Sequence, residues 1–333
     1  MLQSKIVGAG HYFPERVVTN KDLEALMDTS DEWIRERSGI EERRYATFGV
    51  DTTANMGTKA ARIALQRASL TPDDIDFIVF ATLSPDYYFP GAGVTVQKEL
   101  GIKTVGALDV RNQCTGFIYG LSVADQFIKT GMYKTILVIG SEIHSNGLDL
   151  TTRGRGVSVL FGDGAGAVIL QAEQDPKKGI LSSHLHSQGE FADALCVKAP
   201  GNLKEKKFYD GMLEDFDMIA PYMDGQLVFK NAITRFSEVI GEALAVNGYT
   251  KEDLDMLVVH QANLRICQFL QKQMRLPDEK VYNNIQKYGN TTAATIPIIL
   301  SELWEQNRIK PNDLFMLAAF GSGFTWASAL IRW

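Results

Sequence analysis

Residues 64–81 read ALQRASLTPDDIDFIVFA, and residues 243–260 read ALAVNGYTKEDLDMLVVH. Each stretch has a helix end, a turn built on Thr and Asp, and an apolar run typical of a buried strand. The matched residues keep a constant offset of 179 positions, as in Thr71 with Thr250 and Asp76 with Asp255. Self-similarity over so long a period indicates a duplicated structural unit.

The sequence downstream of both copies repeats the same order of features. A polar segment ending at Cys114 precedes a helical pattern, the strand TILVIG (135–140) and the strand AGAVILQ (165–171). In the second half YGNTT (288–292) precedes a helical pattern and two further apolar strands. Continuous apolar strands alternating with amphipathic helices are typical of α/β proteins whose sheets are covered on both faces. We expect two duplicated βαβ-rich halves with stacked mixed sheets, residues 1–175 and 176–333, related by a pseudo-twofold axis.

Composition restricts the class of protein. At 333 residues, with 45% hydrophobic and 22% charged residues, the chain is long enough for two globular domains. The net charge of −6 argues against a nucleic-acid partner. The three cysteines show no C-x-x-C spacing, which argues against a metal site and a disulfide framework. The sequence contains no run of 18 apolar residues, which argues against a membrane partner. We expect a soluble cytoplasmic protein.

Three polar residues stand where strands end or helices begin. Cys114 lies in RNQCTGFIYG (111–120) at a helix start, where the helix dipole and free N–H groups are expected to lower its pKa and favour the thiolate nucleophile. His260 follows the repeated strand directly, and Asn290 lies at the point of the second half equivalent to Cys114. A pseudo-twofold axis would bring the three together. Taken singly, they are equally readable as an inert buried cysteine, a satisfied core histidine and a helix N-cap.

Two other segments suggest ligand contacts. The glycines of FGSGF (320–324) allow a tight turn that presents backbone N–H groups, as an oxyanion site requires. Thr29 and Glu32 predict a capping box, after which Trp33 and Arg37 stand four apart on one helix face. An indole with a guanidinium suits an adenine ring and a phosphate, although a surface pair explains the spacing as well.

Together these segments resemble the β-ketoacyl-acyl carrier protein synthase III family of thiolase-like condensing enzymes. The resemblance spans essentially the whole chain. It rests on TSDEWIRERSGIEER (29–43), DVRNQCTGF (109–117), RGVSVLFGDGAGA (155–167), LVVHQANLRI (257–266), YGNTTAATIP (288–297) and FGSGFTWASALIRW (320–333). It implies a thiolase fold, with stacked sheets in a layered αβαβα arrangement, and a homodimer. It also implies decarboxylative Claisen condensation of an acyl-CoA primer with malonyl-acyl carrier protein, which initiates fatty-acid synthesis through an acyl-Cys intermediate.

The resemblance also assigns roles to individual residues. It makes Cys114 the nucleophile, His260 and Asn290 the donors to the malonyl thioester, and the backbone N–H groups of Cys114 and Ser322 the oxyanion site. Phe89 would limit the acyl pocket from across the dimer interface. Acyl-CoA is a substrate, and no metal or redox cofactor is implied. The remaining assignments are CoA contacts at Trp33, Arg37, Arg155, Gly225 and Asn263, and carrier-protein docking at Lys230 and Arg265.

Several features depart from the family pattern. Asn112 and Gln113 replace residues that are often small, Ser322 replaces a glycine, and the 199–222 segment looks roughly a dozen residues longer than in compact members. The longer 199–222 segment motivates an alternative, a condensing enzyme of secondary metabolism that uses an aryl, long-chain or unusual acyl donor. A Cys-His-Asn thioester hydrolase is an alternative of another class. The acyl chain length, and the choice between malonyl-CoA and malonyl-acyl carrier protein, stay open at this point.

Overall fold

The structure is a computed structural model that describes residues 2–333, and these residues contain thirteen strands and eleven α-helices. The strands are β1 (Gln3–Tyr12), β2 (Arg16–Thr19), β3 (Glu42–Tyr45), β4 (Phe77–Ala81), β5 (Gly106–Val110), β6 (Thr135–Glu142), β7 (Gly164–Glu173), β8 (Gly179–Ser187), β9 (Leu195–Cys196), β10 (Tyr222–Met223), β11 (Met256–Val259), β12 (Leu314–Gly321) and β13 (Thr325–Arg332). The helices are α1 (Asn20–Glu24), α2 (Asp31–Ser38), α3 (Thr53–Ala68), α4 (Ala92–Leu100), α5 (Gly116–Lys129), α6 (Arg155–Ser158), α7 (Phe216–Ile219), α8 (Gly225–Asn247), α9 (Leu264–Met274), α10 (Ile285–Tyr288) and α11 (Thr295–Glu305).

The two large sheets have the same strand topology. The first runs β1-β7-β6-β4-β5, and the second runs β8-β13-β12-β11. In each, the two outer pairs at the first-named end are antiparallel, and the following pair is parallel. A parallel bridge between Leu257 and Val281 stands where β5 lies in the first sheet. The sequence repeat is therefore a repeat of structure. Strands of the first sheet come from residues 3–173 and those of the second from 179–332, while the proposed division at residue 175 stays a prediction.

The repeated Thr-Asp turn makes the same hydrogen bonds in both halves. The side chain of Asp74 accepts from the backbone N of Thr71 at 2.7 Å, and Asp253 does the same for Thr250 at 2.7 Å. Two residues on, Asp76 accepts from the N of Thr135 at 2.9 Å, and its counterpart Asp255 accepts from the N of Leu314 at 2.8 Å. Each turn thus fixes the start of the neighbouring strand, which explains why its residues recur.

The hydrophobic residues define five layers. One face of the first sheet packs on α3 and α4, and one face of the second packs on α8 and α9. The two remaining faces pack against α5 and α11, which lie between the sheets in a shared core. Strands buried on both faces account for the unbroken apolar runs in the sequence. The predicted αβαβα arrangement is confirmed.

The helices of the central layer begin at equivalent places. A 3₁₀ turn, Gln113–Thr115, leads into α5, and a second, Thr292–Ala294, leads into α11. The offset between these turns is again 179 residues, so the counterpart of Cys114 is Ala293. The expectation that Asn290 is that counterpart is wrong by three residues, because the shared turn begins only after Thr291. Asn290 lies on the segment that leads into the turn.

Two peripheral segments surround the layers. β2, β3, α1 and α2 form a lobe with its own small core around Leu23, Ile34 and Ile40. Residues 197–221, here called the excursion, run out between the short antiparallel strands β9 and β10. Within residues 2–333, the structure has no helix with the length and apolar character needed to cross a bilayer.

Candidate functional site

Cys114 lies in the Gln113–Thr115 turn at the start of α5, and only 9% of it is exposed. Gln113 adopts a positive φ of 45°, which turns the chain sharply before the cysteine. The side chain of Asn112 donates to the hydroxyl of Thr115 at 2.8 Å. Thr115 in turn contacts the hydroxyl of Thr325 at 2.9 Å, across 210 residues. These contacts fix the cysteine against the start of β13.

Residues 321–324, here called the 321–324 turn, join β12 to β13 beside Cys114. A Cβ added to Gly321 would lie 2.7 Å from Cβ and 3.1 Å from Sγ of Cys114, so only glycine allows this approach. The backbone N–H groups of Ser322 and of Cys114 itself lie close enough to the sulfur to lower the pKa of the thiol. Two backbone donors therefore converge where an oxyanion formed on this cysteine would lie.

Burial, with a smaller contribution from the charge of Glu142, nevertheless raises the pKa of Cys114 to about 12. The expectation that the helix start leaves a lowered pKa is wrong for the ligand-free protein. Desolvation of a nearly enclosed thiolate outweighs the stabilisation by two N–H donors. The thiol consequently keeps its proton near neutral pH.

His260 follows β11 and is 1% exposed. Its backbone N donates to the carbonyl of Ala318 on β12 at 2.9 Å, which extends the strand pairing by one residue. Nδ1 of the ring lies 2.7 Å from the hydroxyl of Thr295, at the start of α11. Nε2 is buried and has no hydrogen-bond partner within residues 2–333. Burial lowers the pKa of His260 to about 3, so the imidazole is neutral.

Asn290 is held by its backbone and by one side-chain atom. Its N donates to the carbonyl of Leu160 at 2.8 Å, and its carbonyl accepts from Gly162 at 3.1 Å. Its Oδ1 accepts from the backbone N of Thr292 at 2.8 Å. Because the carbonyl end of the amide is occupied, Nδ2 is the atom that Asn290 can offer to a ligand. His260 and Asn290 are thus both anchored to the segment 290–295.

The Thr292–Ala294 turn brings the predicted residues together. It packs against the Gln113–Thr115 turn, and a Cβ on Gly116 would lie 3.6 Å from the Cβ of Ala293. The same turn follows Asn290 and leads into Thr295, the partner of His260. Cys114 from one half and His260 and Asn290 from the other therefore surround one junction between the halves, as the sequence predicts.

A second cluster gathers four of the predicted CoA contacts. The guanidinium carbon of Arg37 lies 4.5 Å from the ring centroid of Trp33, and that of Arg155 lies 5.4 Å from it. Asn263 donates to the backbone carbonyl of Arg37 at 2.9 Å. A half-buried indole with two guanidinium groups beside it suits an aromatic base that carries phosphates. The predicted Thr29 cap is wrong by one residue: Ser30 caps α2 and accepts from the N of Trp33 at 3.0 Å, because adjacent hydroxyl residues can both serve as caps.

The other predicted residues lie outside these clusters. Gly225 opens α8, and a Cβ there would meet only the Met223 side chain, 3.8 Å away. Phe89 is 80% exposed. Lys230 on α8 and Arg265 on α9 are exposed on two helices that pack together. Their assigned roles remain predictions.

Sequence reasoning missed three polar residues near the junction. Glu142 is fully buried at the end of β6, accepts from Leu83, Thr82, Ser84 and Ala293, and burial raises its pKa to about 7. Thr295 positions His260, and Nε2 of His144 lies 2.7 Å from the hydroxyl of Thr292. Only Glu142 had a signal in the sequence, because a glutamate at the end of the apolar strand TILVIGSE indicates a buried charge with a special role. The contacts of Thr295 and His144 join residues far apart in the chain, so no local pattern indicates them.

The fold consists of two similar halves in five layers. One half supplies the turn that carries Cys114, and the other supplies a neutral histidine and an asparagine. This combination defines a thiolase-fold condensing enzyme. Two family profiles match the chain: 3-oxoacyl-(acyl carrier protein) synthase III over residues 108–189 and its C-terminal part over residues 244–333. The chain belongs to the β-ketoacyl-acyl carrier protein synthase III family.

Individual relatives agree with this assignment over the full length. The chain is 45% identical to the β-ketoacyl-acyl carrier protein synthase III of Alkalilimnicola ehrlichii, covering 100% of both chains. It superposes on the crystal structure of the Aquifex aeolicus 3-oxoacyl-(acyl carrier protein) synthase III with a TM-score of 0.90, at 41% identity, covering 99% of this chain and 100% of the other. It also superposes on the crystal structure of a priming β-ketosynthase from the R1128 polyketide pathway with a TM-score of 0.90, at 32% identity. That superposition covers 99% of this chain and 96% of the other. The resemblance predicted from the sequence motifs is confirmed.

Proposed function

We propose that this enzyme condenses an acyl-CoA primer with a malonyl thioester of acyl carrier protein, with loss of CO2, and so initiates fatty-acid synthesis. The observation that carries this proposal is the pair of donor sets around one cysteine. The backbone N–H groups of Cys114 and Ser322 lie close enough to the sulfur of Cys114 to lower the pKa of its thiol. A neutral imidazole, unpartnered at Nε2 within residues 2–333, and an amide fixed through Oδ1 come from the opposite half.

The first half-reaction is transfer of the acyl group to Cys114. The sulfur attacks the thioester carbonyl, a new C–S bond forms, and the bond to CoA breaks. The proton of the Cys114 thiol ends on the departing CoA sulfur, so the exchange balances without an external acid. The N–H groups of Cys114 and Ser322 would hold the oxyanion, and each such donor contributes about 3 kcal/mol in comparable sites.

The second half-reaction forms the carbon–carbon bond. The bond between the malonyl carboxylate and its methylene carbon breaks, CO2 departs, and the electron pair passes into an enolate. Nδ2 of Asn290 and Nε2 of His260 would donate to the enolate oxygen. The enolate carbon then attacks the acyl carbonyl on Cys114, and the tetrahedral oxyanion collapses to the 3-oxoacyl product as the C–S bond to Cys114 breaks. The released thiolate takes a proton from water, which restores the thiol for the next acyl transfer.

The neutral histidine disfavours the hydrolase alternative. A Cys-His hydrolase needs its histidine to take the thiol proton and hold it as a cation. Burial lowers the pKa of His260 to about 3, so a cation is disfavoured at this position. The condensing reaction instead requires a neutral donor, which a buried and partnered imidazole supplies.

The substrate contacts follow the two clusters of the structure. Acyl-CoA would place its adenine at Trp33 and its phosphates at Arg37 and Arg155, with Asn263 and Gly225 along the entrance. The acyl carrier protein would dock against Lys230 and Arg265, both exposed on adjacent helices. The positive charges of these two side chains would attract an acidic surface on the carrier.

The enzyme would act as a homodimer in the cytoplasm. β5 is the terminal strand of the first sheet, so its outer edge is free to pair with the same strand of a second copy. Leu108 on this strand is 39% exposed, and Phe89 nearby in sequence is 80% exposed. In the dimer Phe89 would close the acyl pocket of the other subunit, which accounts for so large an exposed aromatic ring.

The excursion supports a second candidate, a condensing enzyme with an unusual acyl donor. Lys207 in the excursion lies 2.9 Å from the ring centroid of Tyr88, next to Phe89. Arg153, near the Arg155 cluster, lies 3.4 Å from the ring centroid of Phe216. The excursion thus contacts Tyr88, next to Phe89, and Arg153, two residues from Arg155, and from there it would influence which acyl groups enter.

Intact-mass analysis tests both candidates. The protein is incubated with acetyl-CoA, octanoyl-CoA and benzoyl-CoA, and the acyl adduct on Cys114 is measured by peptide mapping. CO2 release is then followed after addition of malonyl-acyl carrier protein or malonyl-CoA. Preference for acetyl-CoA supports the housekeeping reaction, and preference for a long or aryl donor supports the specialised one. Thioester hydrolysis without CO2 release from any pair contradicts both.

A further inference from the structure

Ser322 makes a second contact that the proposed chemistry does not use. Its hydroxyl donates to the backbone carbonyl of Leu195, 127 residues away in sequence. Its own backbone N–H lowers the pKa of the Cys114 thiol, and a Cβ on the adjacent Gly321 would lie 3.1 Å from the sulfur. Leu195 pairs with Met223 in the two short strands, β9 and β10, that flank the excursion. Ser322 therefore connects Cys114 to the strands that carry the excursion.

The contacts around Ser322 hold the 321–324 turn from two sides. On the side of the cysteine, the hydroxyl of Thr325 donates to the carbonyl of Ser322 at 3.2 Å and contacts Thr115 at 2.9 Å. On the opposite side, Phe324 and Gln188 exchange two backbone hydrogen bonds of 2.8 Å each. The segment 188–196 thus forms a wall behind the turn, and the Ser322 hydroxyl attaches the turn to that wall.

The two glycines explain why such an attachment matters. Gly321 and Gly323 flank Ser322, and Gly323 adopts a φ of 135°, which side chains rarely allow. A peptide unit between two glycines has few side-chain contacts of its own to fix its orientation. The N–H that faces Cys114 must nevertheless be held within a fraction of an ångström to stabilise an oxyanion.

We propose that Ser322 is a positioning residue whose hydroxyl, bonded to Leu195, holds the Ser322 backbone N–H on the sulfur of Cys114 and couples this donor to the strands that carry the excursion. The hydroxyl does not touch the reacting atoms. It acts through the orientation of its own peptide. The inference rests on the proposed function for its catalytic consequence, but the geometry at the thiol does not depend on that function.

The test removes the hydroxyl and keeps the backbone. In Ser322→Ala and Ser322→Gly, the N–H donor remains but its attachment is lost, whereas Ser322→Thr keeps a hydroxyl. The matched control is Ser328→Ala on β13, which also removes a buried serine hydroxyl that donates to a backbone carbonyl, that of Val239 at 3.0 Å. Thermal unfolding of all four variants measures any general loss of stability.

The first readout is alkylation of Cys114 by iodoacetamide, followed between about pH 7 and about pH 10 and resolved by peptide mass spectrometry from Cys196 and Cys267. We expect Ser322→Ala and Ser322→Gly to react about three- to tenfold more slowly at each pH, since the thiolate loses a donor. Ser322→Thr should recover most of the rate, and Ser328→Ala should match the unaltered protein.

The second readout is acyl transfer from the CoA thioester that the unaltered enzyme accepts best. We expect kcat to fall about tenfold or more in Ser322→Ala while KM changes little, because the donor acts on the transition state. Unchanged alkylation in both variants would overturn the proposal, and so would a Ser322→Thr variant as slow as Ser322→Ala. If no acyl-CoA acylates Cys114, the proposed function fails while the alkylation comparison still decides the role of Ser322.

Discussion

The hydroxyl oxygen of Thr295 lies 2.7 Å from Nδ1 of His260 and 3.1 Å from the backbone carbonyl of Thr292. This hydroxyl has one proton and two possible acceptors. When the proton lies on the side of Nδ1, the imidazole carries its own proton on Nε2, which then becomes a donor. When it lies on the side of Thr292, Nε2 becomes an acceptor and cannot stabilise an enolate oxygen.

The first prediction concerns this tautomer. Thr295→Val keeps the shape of the side chain but leaves Nδ1 without a partner, so the donor tautomer loses its support. We expect the rate of decarboxylation to fall about tenfold or more, since one transition-state hydrogen bond is weakened. Acylation of Cys114 should stay within about twofold, because His260 takes no part in that step.

Thr295→Ser is the matched control and should restore most of the decarboxylation rate. The two half-reactions are separated by measuring the acyl adduct by mass and CO2 release in a single turnover. Imidazole ¹⁵N chemical shifts of His260 would report the tautomer directly. Equal losses of acylation and decarboxylation in the valine variant would show that Thr295 is only structural.

The second prediction concerns the close approach of Gly321 to Cys114. In Gly321→Ala, the new Cβ would lie 2.7 Å from Cβ of Cys114 and 3.2 Å from its backbone N, so the turn must move. We expect acylation to slow about 100-fold, since a displacement of about 1 Å has that effect at a reacting centre. Gly241→Ala on α8 is the control, where a Cβ meets no heavy atom within 4 Å. It should leave acylation unchanged and raise the free energy of unfolding by about 0.5–1 kcal/mol.

The third prediction concerns the charge of Glu142. Burial raises the pKa of Glu142 to about 7, so it ionises near neutral pH, and its charge raises the pKa of the Cys114 thiol. We expect Glu142→Gln to increase the alkylation rate of Cys114 by about threefold at pH 8, because a repulsive charge is removed. Glu302→Gln neutralises another largely buried carboxylate, bonded to Asn284 at 2.7 Å, and should leave the rate unchanged. A slower rate in Glu142→Gln would contradict this electrostatic role.

The fourth prediction concerns the stacked cluster at Trp33. Loss of an aromatic platform costs about 1–3 kcal/mol per stacked base in comparable sites, so Trp33→Ala should raise the KM for acyl-CoA about tenfold or more with little change in kcat. The control is a substrate: an acyl-pantetheine thioester lacks the adenine and should give the same kinetics with both proteins. A variant that loses activity equally toward both substrates would place Trp33 outside the adenine site.

The fold and the main site residues could be predicted because their signals are local. The repeated Thr-Asp turn fixes the next strand in both halves, so its residues recur at one offset. The apolar runs follow from burial on both faces. His260 was predictable because a polar ring directly after a buried strand needs a partner or a role.

The remaining features depend on contacts between distant residues. The pKa of Cys114 is set by enclosure between the Gln113–Thr115, Thr292–Ala294 and 321–324 turns, which no local pattern reveals. The bond from Ser322 to Leu195 spans 127 positions. The position of a helix start was predicted wrongly in two places: Thr29 stands one residue before the cap, Ser30, and Asn290 stands three residues before Ala293, the counterpart of Cys114. Local patterns therefore indicated the candidate site residues but not the electrostatics around them, and the roles of these residues stay predictions.

The last prediction concerns the pH dependence of stability. Burial lowers the pKa of His260 to about 3 in the folded protein, from an ordinary value of 6.5. The unfolded chain therefore binds a proton at a pH where the folded protein does not, so this stabilisation is complete above about pH 6.5 and is lost as the pH falls toward 3. At pH 5 the loss amounts to about 2 kcal/mol. The free energy of unfolding is measured by urea denaturation at pH 7.5 and at pH 5 in the unaltered protein and in His260→Leu. The decrease between the two pH values should be about 2 kcal/mol smaller in His260→Leu. An equal decrease in both proteins would mean that His260 is protonated as readily in the folded protein as in the unfolded chain.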